Sequence, residues 1–479
     1  MRKHCRLVLF VLLMALSLNI VTYANDTYTF NEALDWFNKN RRISGALNGS
    51  QYALHHPGEV AISQDEINAL LADRSLSRSL TREQAIQDVD LYFRALKYCY
   101  GGYYYFGEAN FENAKNSIIA QLGQKNSISG KELGQLIQNN LPFVRDAHFK
   151  INNVSMMEIL GRYQAYYCDL QFAWDSSGYY VEENGAKWYF LSCDNPNTKM
   201  QYLMTDGGEL VYSPIQFCVA GQAVPESNVT VTNGAESKNL KARWRATTPY
   251  PVESRPDVKC ISANGVVYIS VREFHDANGQ ALQQFVNSAN IAKNGKLVIL
   301  DIRGNNGGSD EYPMKWVETF TGQKPEIGGY HANYDNALST HNAHPLGQEK
   351  NDARGNSGRK ISNKIPLIIL VDNQCASSGE SALMFARLID NSVVIGCNSS
   401  GYQLVGNVET FSLPNSGIRA SFGRNLNMYY DYENVDGKGY TPDIWCNPAN
   451  AVPALCNVLK KNGMIDDATM QALTAGGMK

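Results

Sequence analysis

The sequence predicts an α/β core domain that follows an N-terminal helical domain and an intervening β-rich module. In residues 25–150, apolar side chains recur at three- and four-residue spacing, as in amphipathic helices. Residues 151–257 contain short aromatic and β-branched segments between Asn, Gly, Asp and Pro, which is typical of antiparallel strands. Over residues 258–460, apolar strands alternate with helical segments, which favours an α/β layer. Residues 461–479 remain as a C-terminal tail.

The N-terminus predicts an export signal over residues 1–24. Arg2, Lys3 and Arg6 precede a short apolar run, and small residues stand before a cleavage point after Ala24. The alternative is a membrane anchor, but the run is short for a span of about 20 residues. We therefore expect an exported protein, periplasmic, secreted or at the cell surface, with no membrane span in the mature chain.

Charge and cysteine content narrow the possible partners. The formal net charge is −3, and removing three positive and no negative charges with residues 1–24 leaves −6. No basic patch is present, which argues against nucleic acid as a partner. Nine cysteines follow Ala24, so at least one thiol is free or pairs with another chain. Because no Cys/His cluster has zinc spacing, we expect no metal and no organic cofactor.

The N-terminal helices carry recognisable start signals. The segments "TREQAIQDVDLYFRALKYC" and "SGKELGQLIQNNL" each begin with Thr or Ser, followed three residues later by Gln or Glu. This is the capping-box pattern, in which the first side chain accepts from a backbone amide of the first turn. The pattern predicts helices that begin near residues 81 and 129.

Within the core, two buried strands end in segments that could carry chemistry. "KLVILDIRG" leads into Gly304-Asn305-Asn306-Gly307-Gly308, and "IPLIILVDN" leads into Ala376-Ser377-Ser378-Gly379-Glu380. The glycines match no phosphate-loop pattern, but they allow backbone amides to approach a ligand closely. An amide there and that of Ser378 could together receive a carbonyl oxygen.

Ser377 can be interpreted in two ways. Ser377 and Glu380 have capping-box spacing, and a cap would contribute about 1 kcal/mol to stability. A serine at a strand-to-helix turn also lies beside free amides and the positive end of a helix, where a nucleophile can act. On this stretch alone the two interpretations are equally supported.

The combined motifs resemble the S41 serine peptidases, the family of the C-terminal processing proteases and the tricorn core. The resemblance rests on Asp301-x-Arg303-x-Asn305-x-Gly307-Gly308, on the Ala-Ser-Ser-Gly-Glu segment, on "ENVDGKGYTPDIW" and on "VRDAHFKIN". It implies a crotonase/ClpP-like core that cleaves peptide bonds, with Ser377 as the nucleophile. Gly307, Gly308 and Ser378 are then the oxyanion-binding candidates.

The general base departs from the pattern of the processing proteases, which pair the serine with a lysine. Tyr402 stands at the corresponding place, and no lysine occurs between Ser377 and Lys438. The resemblance to the tricorn branch implies histidine and an acid instead, so His148 in "RDAH" is the preferred base. The free imidazole pKa would give a rate that rises near pH 6–7. Four other histidines are rivals: His275, His331, His341 and His344.

The acid that orients the histidine is left open. Alignment on the Pro-Asp segment places Asp436 where the family has Glu, and Glu433 is the competitor. Either could instead be a turn residue.

These observations favour an exported serine peptidase that acts on peptides or unfolded proteins through a Ser-His-acid triad. The alternative is a catalytically inactive, peptide-binding relative, because the lysine is missing. A crotonase-like acyl-CoA enzyme would share the oxyanion geometry, but the serine turn and the Pro-Asp segment make it the weakest of the three.

Overall fold

The structure is a computed structural model, and it describes residues 29–41, 45–53, 62–222, 224, 226–251, 257–275, 277, 279–336, 338–339, 350–430 and 436–478. The predicted signal segment, residues 1–24, lies outside the described residues. Within the described residues, no helix is both long and apolar enough to cross a membrane.

Four of the described helices begin with a complete capping box, at Thr29, Ser63, Thr81 and Ser129. In chain order the helices are α1 (Phe30–Asn40), α2 (Gln64–Leu71), α3 (Arg82–Cys99), α4 (Tyr103–Phe106), α5 (Glu108–Leu122), α6 (Gly130–Asn139), α7 (Met156–Leu160), α8 (Gly279–Ala292), α9 (Glu311–Thr321), α10 (Ser378–Arg387), α11 (Ala451–Lys461) and α12 (Asp467–Ala475).

The strands fall largely in the segments where the sequence predicts them. In chain order they are β1 (Leu80–Thr81), β2 (Ser127–Ile128), β3 (Lys150–Ile151), β4 (Val154–Ser155), β5 (Tyr163–Cys168), β6 (Ala173–Asp175), β7 (Gly178–Glu183), β8 (Ala186–Cys193), β9 (Lys199–Met204), β10 (Leu210–Val219), β11 (Ser227–Thr232), β12 (Ser237–Ala242), β13 (Trp244–Ala246), β14 (Val258–Ala263), β15 (Val266–Val271), β16 (Leu297–Asp301), β17 (Gly329–Asp335), β18 (Lys350–Asn356), β19 (Leu367–Val371), β20 (Ser392–Gly396), β21 (Val405–Ser412), β22 (Arg419–Tyr429) and β23 (Ile444–Trp445).

The largest sheet has ten strands in the order β13-β5-β10-β9-β23-β20-β19-β16-β15-β14. Its centre is parallel, from β15 through β16, β19 and β20 to β23. Both faces are covered. On β16, Val298 and Leu300 join one apolar cluster with α8 and α9, whereas Leu297 and Ile299 join another with α11 and α12. The predicted α/β class is confirmed. The central strands are continuous apolar runs in the sequence because both of their faces are buried.

Three further sheets complete the described fold, and the smallest is the two-stranded sheet β1-β2. Strands β12-β11-β8-β7-β6 form a five-stranded sheet, and β18-β17-β22-β3-β4 form another in which β21 also pairs with β22. The predicted division into separate units stays a prediction. Strands β5, β9, β10 and β13 of the segment 151–257 continue the ten-stranded sheet, so the sheet crosses the predicted boundary at residue 257.

The C-terminal tail packs against the core. Leu473 of α12 is fully buried in the same apolar cluster as Leu297 and Ile299 of the central strand β16. Nine cysteines lie in the described part of the chain, and all of them are free thiols.

Candidate active site

The serine turn joins β19 to α10 at the carboxyl edge of the parallel strands. Ser377 has φ 51° and ψ −123°, a backbone conformation that side-chain-bearing residues rarely adopt. Its side chain makes no capping hydrogen bond, so the capping interpretation of Ser377 is wrong. Strain of this kind costs on the order of 1–3 kcal/mol and persists at functional sites where the surroundings impose it.

The glycine loop after β16 lies directly against this turn. Ala376 N–H donates to the Asn305 carbonyl at 2.9 Å, and the Ser378 hydroxyl donates to the Gly308 carbonyl at 2.7 Å. Gly308 has φ 134°, and a Cβ there would lie 2.1 Å from the carbonyl carbon of Phe274. Only glycine fits at this position, and at Gly307 a Cβ would lie 2.8 Å from the Cβ of Ser377, so glycine is needed there for the two loops to touch.

The oxyanion candidates differ in the state of their amides. Gly307 N–H donates to the Asn305 side-chain oxygen at 3.0 Å, so it is already engaged. Among the described residues, no backbone acceptor engages Gly308 N–H or Ser378 N–H. Both amides therefore remain available to a ligand oxygen. They lie on two loops that touch, so one oxygen could accept from both.

The aspartates of the two motifs hold the loops rather than facing the cavity. Asp301 binds Arg303 through two contacts at 2.9 and 2.6 Å, and both side chains are fully buried. Asp372 accepts from the amides of Gly304 at 2.8 Å and Tyr250 at 3.1 Å. These buried charges are satisfied by hydrogen bonds, which is the condition under which burial of a charge is tolerated.

Ser377 opens into a cavity of about 1120 Å³. Gly308, Ser378 and His148 also line it, so the structure brings the proposed nucleophile, base and oxyanion amides to one cavity. Asp436 and Gly307 are not among its lining residues. No described residue forms a hydrogen bond with the Ser377 hydroxyl.

His148 lies in the turn just before β3. Its Nδ1 is enclosed and has no hydrogen-bond partner among the described residues. Burial lowers the imidazole pKa to about 4, against a smaller raising effect of the Val405 backbone. The ring meets the Tyr402 ring edge to face, with centroids 5.2 Å apart. At neutral pH the imidazole is therefore uncharged and able to accept a proton.

Two buried carboxyl groups support the turn that carries His148. Asp436 accepts from Ala147 N–H at 3.1 Å and from the amides of Gln403 and Leu404, each at 3.2 Å. Asp146 accepts from His148 N–H at 2.8 Å and from the Tyr100 hydroxyl at 2.9 Å. Burial, and then the charge of Asp436, raise the pKa of Asp146 to about 8. Asp436 thus contacts the backbone beside the histidine.

Glu380 has capping-box spacing to Ser377, but in the structure it has another role. It is fully buried and accepts from the Ser399 hydroxyl and from the amides of Gly401 at 2.9 Å and Tyr402 at 2.7 Å. Burial raises its pKa to about 8. Glu380 therefore fixes the loop on which Tyr402 is presented to the cavity.

The other candidates are distributed as follows. His275 lines the same cavity, beside the glycine loop. His331 lies in β17, where its Nδ1 is 3.4 Å from the Asn427 side-chain oxygen. His341, His344 and Glu433 lie outside the described residues. Sequence reasoning missed Arg162, which also lines the cavity and donates to the Tyr402 hydroxyl.

Residues 265–445 match the family model of Peptidase family S41. The matched residues include the parallel strands, the glycine loop and the serine turn of the α/β core. His148 lies outside the matched residues.

The chain is also similar to solved structures. Mature CPAF is 12% identical, with 80% of this chain and 99% of that chain covered, at a TM-score of 0.43. The photosystem II D1 C-terminal processing protease is 16% identical, with 81% and 99% covered, at 0.38. The tricorn protease is 13% identical, with 82% and 37% covered, at 0.36. No curated protein matches the chain.

Proposed function

We propose that the protein is a serine peptidase of the S41 type with Ser377 as its nucleophile, and the match of residues 265–445 to the family model supports this. The observation that carries the proposal is the conformation of Ser377. Its backbone is strained, and its hydroxyl does not cap the helix that follows. Ser377 instead lines the cavity at the N-terminus of that helix. A serine that served only as a helix cap would not need this conformation.

The proposed reaction follows from the groups around the cavity. Ser377 Oγ attacks the peptide carbonyl carbon while the neutral imidazole of His148 takes the hydroxyl proton. The amides of Gly308 and Ser378 hold the oxyanion. His148 then gives the proton to the leaving amine, which departs and leaves an acyl-enzyme. A water molecule hydrolyses the acyl-enzyme by the reverse sequence of proton transfers.

For the third member of the triad we retain Asp436, with Glu433 as the alternative. The contact with Ala147 N–H supports a positioning role for Asp436, because it holds the backbone that carries the imidazole. The oxyanion pair is refined to Gly308 and Ser378, since Gly307 N–H is already engaged.

A serine-directed fluorophosphonate probe tests this function. We expect the purified chain to be labelled on Ser377, with labelling lost in Ser377→Ala and retained in Ser378→Ala. Peptide mapping of the labelled protein identifies the modified serine. Labelling of Ser378 alone, or of neither serine, would contradict the assignment.

A catalytically inactive peptide-binding protein is the second candidate. It is favoured by one observation: no hydrogen bond joins Ser377 and His148 among the described residues. Such a protein would bind peptides in the cavity without reacting with the probe. Binding of a fluorescent peptide by a chain that resists labelling would favour this candidate.

Export is a separate proposal, supported by the charged and apolar pattern of residues 1–24. Expression of the full chain with its leader should yield a protein that begins at Asn25 outside the cytoplasm. N-terminal sequencing of that product is the measurement, and a retained leader would contradict cleavage after Ala24.

A further inference from the structure

The cavity is lined by three basic side chains, Lys150, Arg162 and Arg424, and three acidic ones, Asp310, Glu311 and Glu409, and half of these six form ion pairs. Arg424 contacts Glu409, with Nε 3.1 Å from Oε1, and it also contacts Asp335. Glu311, at the rim, pairs with Lys315. These ion pairs account for their own charges, so they offer little to a ligand.

Arg162 is different because its partners are neutral. Its guanidinium donates to the Ser400 hydroxyl at 3.3 Å and to the Tyr402 hydroxyl, and it lies 4.8 Å from the centre of the Tyr402 ring. No carboxylate of the described residues lies within ion-pair distance of it. The side chain is partly buried, so water solvates its positive charge incompletely.

The two carboxyl groups whose charges act on Arg162, Glu158 and Glu380, form no ion pair with it. Glu158 is exposed to solvent outside the cavity lining. Glu380 is buried, and its oxygens are taken by Ser399, Gly401 and Tyr402. Lys150 is a second cavity cation without an ion pair among the described residues. Two cations of the cavity lining thus have no ion pair, and the lining acid Asp310 interacts with Ser378 and Ser381 instead.

Arg162 is also linked to both sides of the reaction centre. Ser400, which accepts from Arg162, donates its N–H to the Cys375 carbonyl at 2.8 Å, two residues before Ser377. Tyr402, the other acceptor, packs against the ring of His148. A ligand group held by Arg162 would consequently lie beside the bond presented to Ser377.

We propose that Arg162 is the anchor of a carboxylate subsite, and that the protein selects peptides with a carboxylate close to the cleaved bond. The fork of the guanidinium matches a carboxylate, and Tyr402 stacks on it and restricts its orientation. The carboxylate comes from an Asp or Glu side chain or from the C-terminus of the peptide. This inference rests on the proposed peptidase function.

The experiment uses a proteome-derived peptide library in two forms. One form is native, and in the other every carboxyl group is converted to its methylamide. Mass spectrometry of the products maps each cleavage. We expect the native library to be cut about ten- to a hundredfold faster, since a hydrogen-bonded charge pair contributes about 1.5–3 kcal/mol. A constant distance to the peptide end indicates the C-terminal carboxylate, and enrichment of Asp or Glu indicates a side chain.

Variants distinguish a loss of carboxylate recognition from a general loss of activity. For each variant we compare its own cleavage rates on the native and the amidated library, so a change in overall activity cancels from the ratio. Arg162→Gln should reduce the ratio to about one, and Arg162→Lys should retain part of it. Arg243→Gln is the matched control, because Arg243 is exposed and lies outside the cavity. Its ratio should equal that of the wild type. A thermal melt of each variant checks folding.

Two results would overturn the subsite: equal cleavage of the two libraries by the wild type, or an unchanged ratio in Arg162→Gln. If the protein is labelled at Ser377 by the fluorophosphonate and lacks carboxylate preference, only the subsite is wrong. If it is neither labelled nor active on either library, the peptidase function itself is wrong.

Discussion

The helix that begins after Ser377 and the helices of the N-terminal region share one start pattern and use it differently. Four Ser or Thr residues, at positions 29, 63, 81 and 129, have extended backbone and form complete capping boxes. Ser377 has the same spacing to Glu380, yet its φ is 51° and its side chain caps nothing. A local pattern thus predicts where a helix begins without deciding what its first side chain does.

The glutamates of the two start patterns, Glu132 and Glu380, show why one serine caps its helix and the other does not. Glu132 is exposed, and the backbone and side chain of Ser129 hold its pKa below the ordinary value. Glu380 is buried, and burial raises its pKa to about 8. At the buried site the Ser399 hydroxyl and the amides of Gly401 and Tyr402 donate to the carboxyl group, so Glu380 is tied mainly to the loop at residues 399–402. The following predictions test this contrast, from the largest expected effect to the smallest.

Ser377→Ala should reduce hydrolysis of an unfolded protein substrate by about 10⁴-fold or more, because the nucleophile is removed. The thermal transition should stay nearly unchanged, since no cap is lost. Ser129→Ala is the matched control, and it should cost about 1 kcal/mol of stability with normal activity. Initial rates and thermal melts are the measurements. A large stability loss in Ser377→Ala would restore the capping role.

His148→Ala should lower kcat/KM by several orders of magnitude, because Ser377 then keeps its proton. The pH profile sharpens the assignment. The sequence alone predicts a rise near pH 6–7, but burial lowers the pKa of His148 to about 4. A base acts when it is neutral, so kcat/KM should rise through about pH 4 and be level by pH 6. A profile that rises only at pH 6–7 would contradict His148 as the base.

Glu380→Gln should change how stability depends on pH. The carboxyl pKa is about 8 when folded and about 4.5 when unfolded, so the folded state binds the extra proton between these values. Stability contributed by Glu380 is present below pH 4.5 and is lost as the pH rises towards 8. Relative to the wild type, the variant should gain on the order of a few kcal/mol from pH 5 to pH 8. Chemical denaturation at several pH values measures this.

Glu132→Gln is the control for that measurement. Because the folded pKa of Glu132 is lowered, its contribution is present above the unfolded pKa and is lost as the pH falls. The two variants should therefore show opposite pH trends. The same trend in both would mean that burial does not distinguish the two acids.

Ser378→Ala should have the smallest effect. Its hydroxyl donates to the Gly308 carbonyl, and the loss of one such bond costs about 1 kcal/mol. The backbone amide of residue 378 is retained, so the oxyanion contact persists and the rate should fall only modestly. Assays beside Ser377→Ala give the comparison. If Ser378→Ala is inactive and Ser377→Ala is active, the nucleophile is Ser378.

The sequence by itself determined the α/β class, the strand endings and the serine turn. Each of these depends on neighbours along the chain. The apolar runs 297–300 and 367–371 are continuous because both faces of these strands are buried, and the sequence shows this directly. Because parallel strands end at the same edge, the glycine loop and Ser377 were expected to meet.

Only the tertiary structure decided which groups surround Ser377 and in what state. Asp436 reaches Ala147 across 289 residues, and Arg162 reaches Tyr402 across 240. Nothing in the local pattern encodes such separations, because these contacts join segments that only the folded chain brings together. Burial is likewise a property of the folded chain. It set the charge states of His148 and Glu380, which their spacing in the sequence could not reveal.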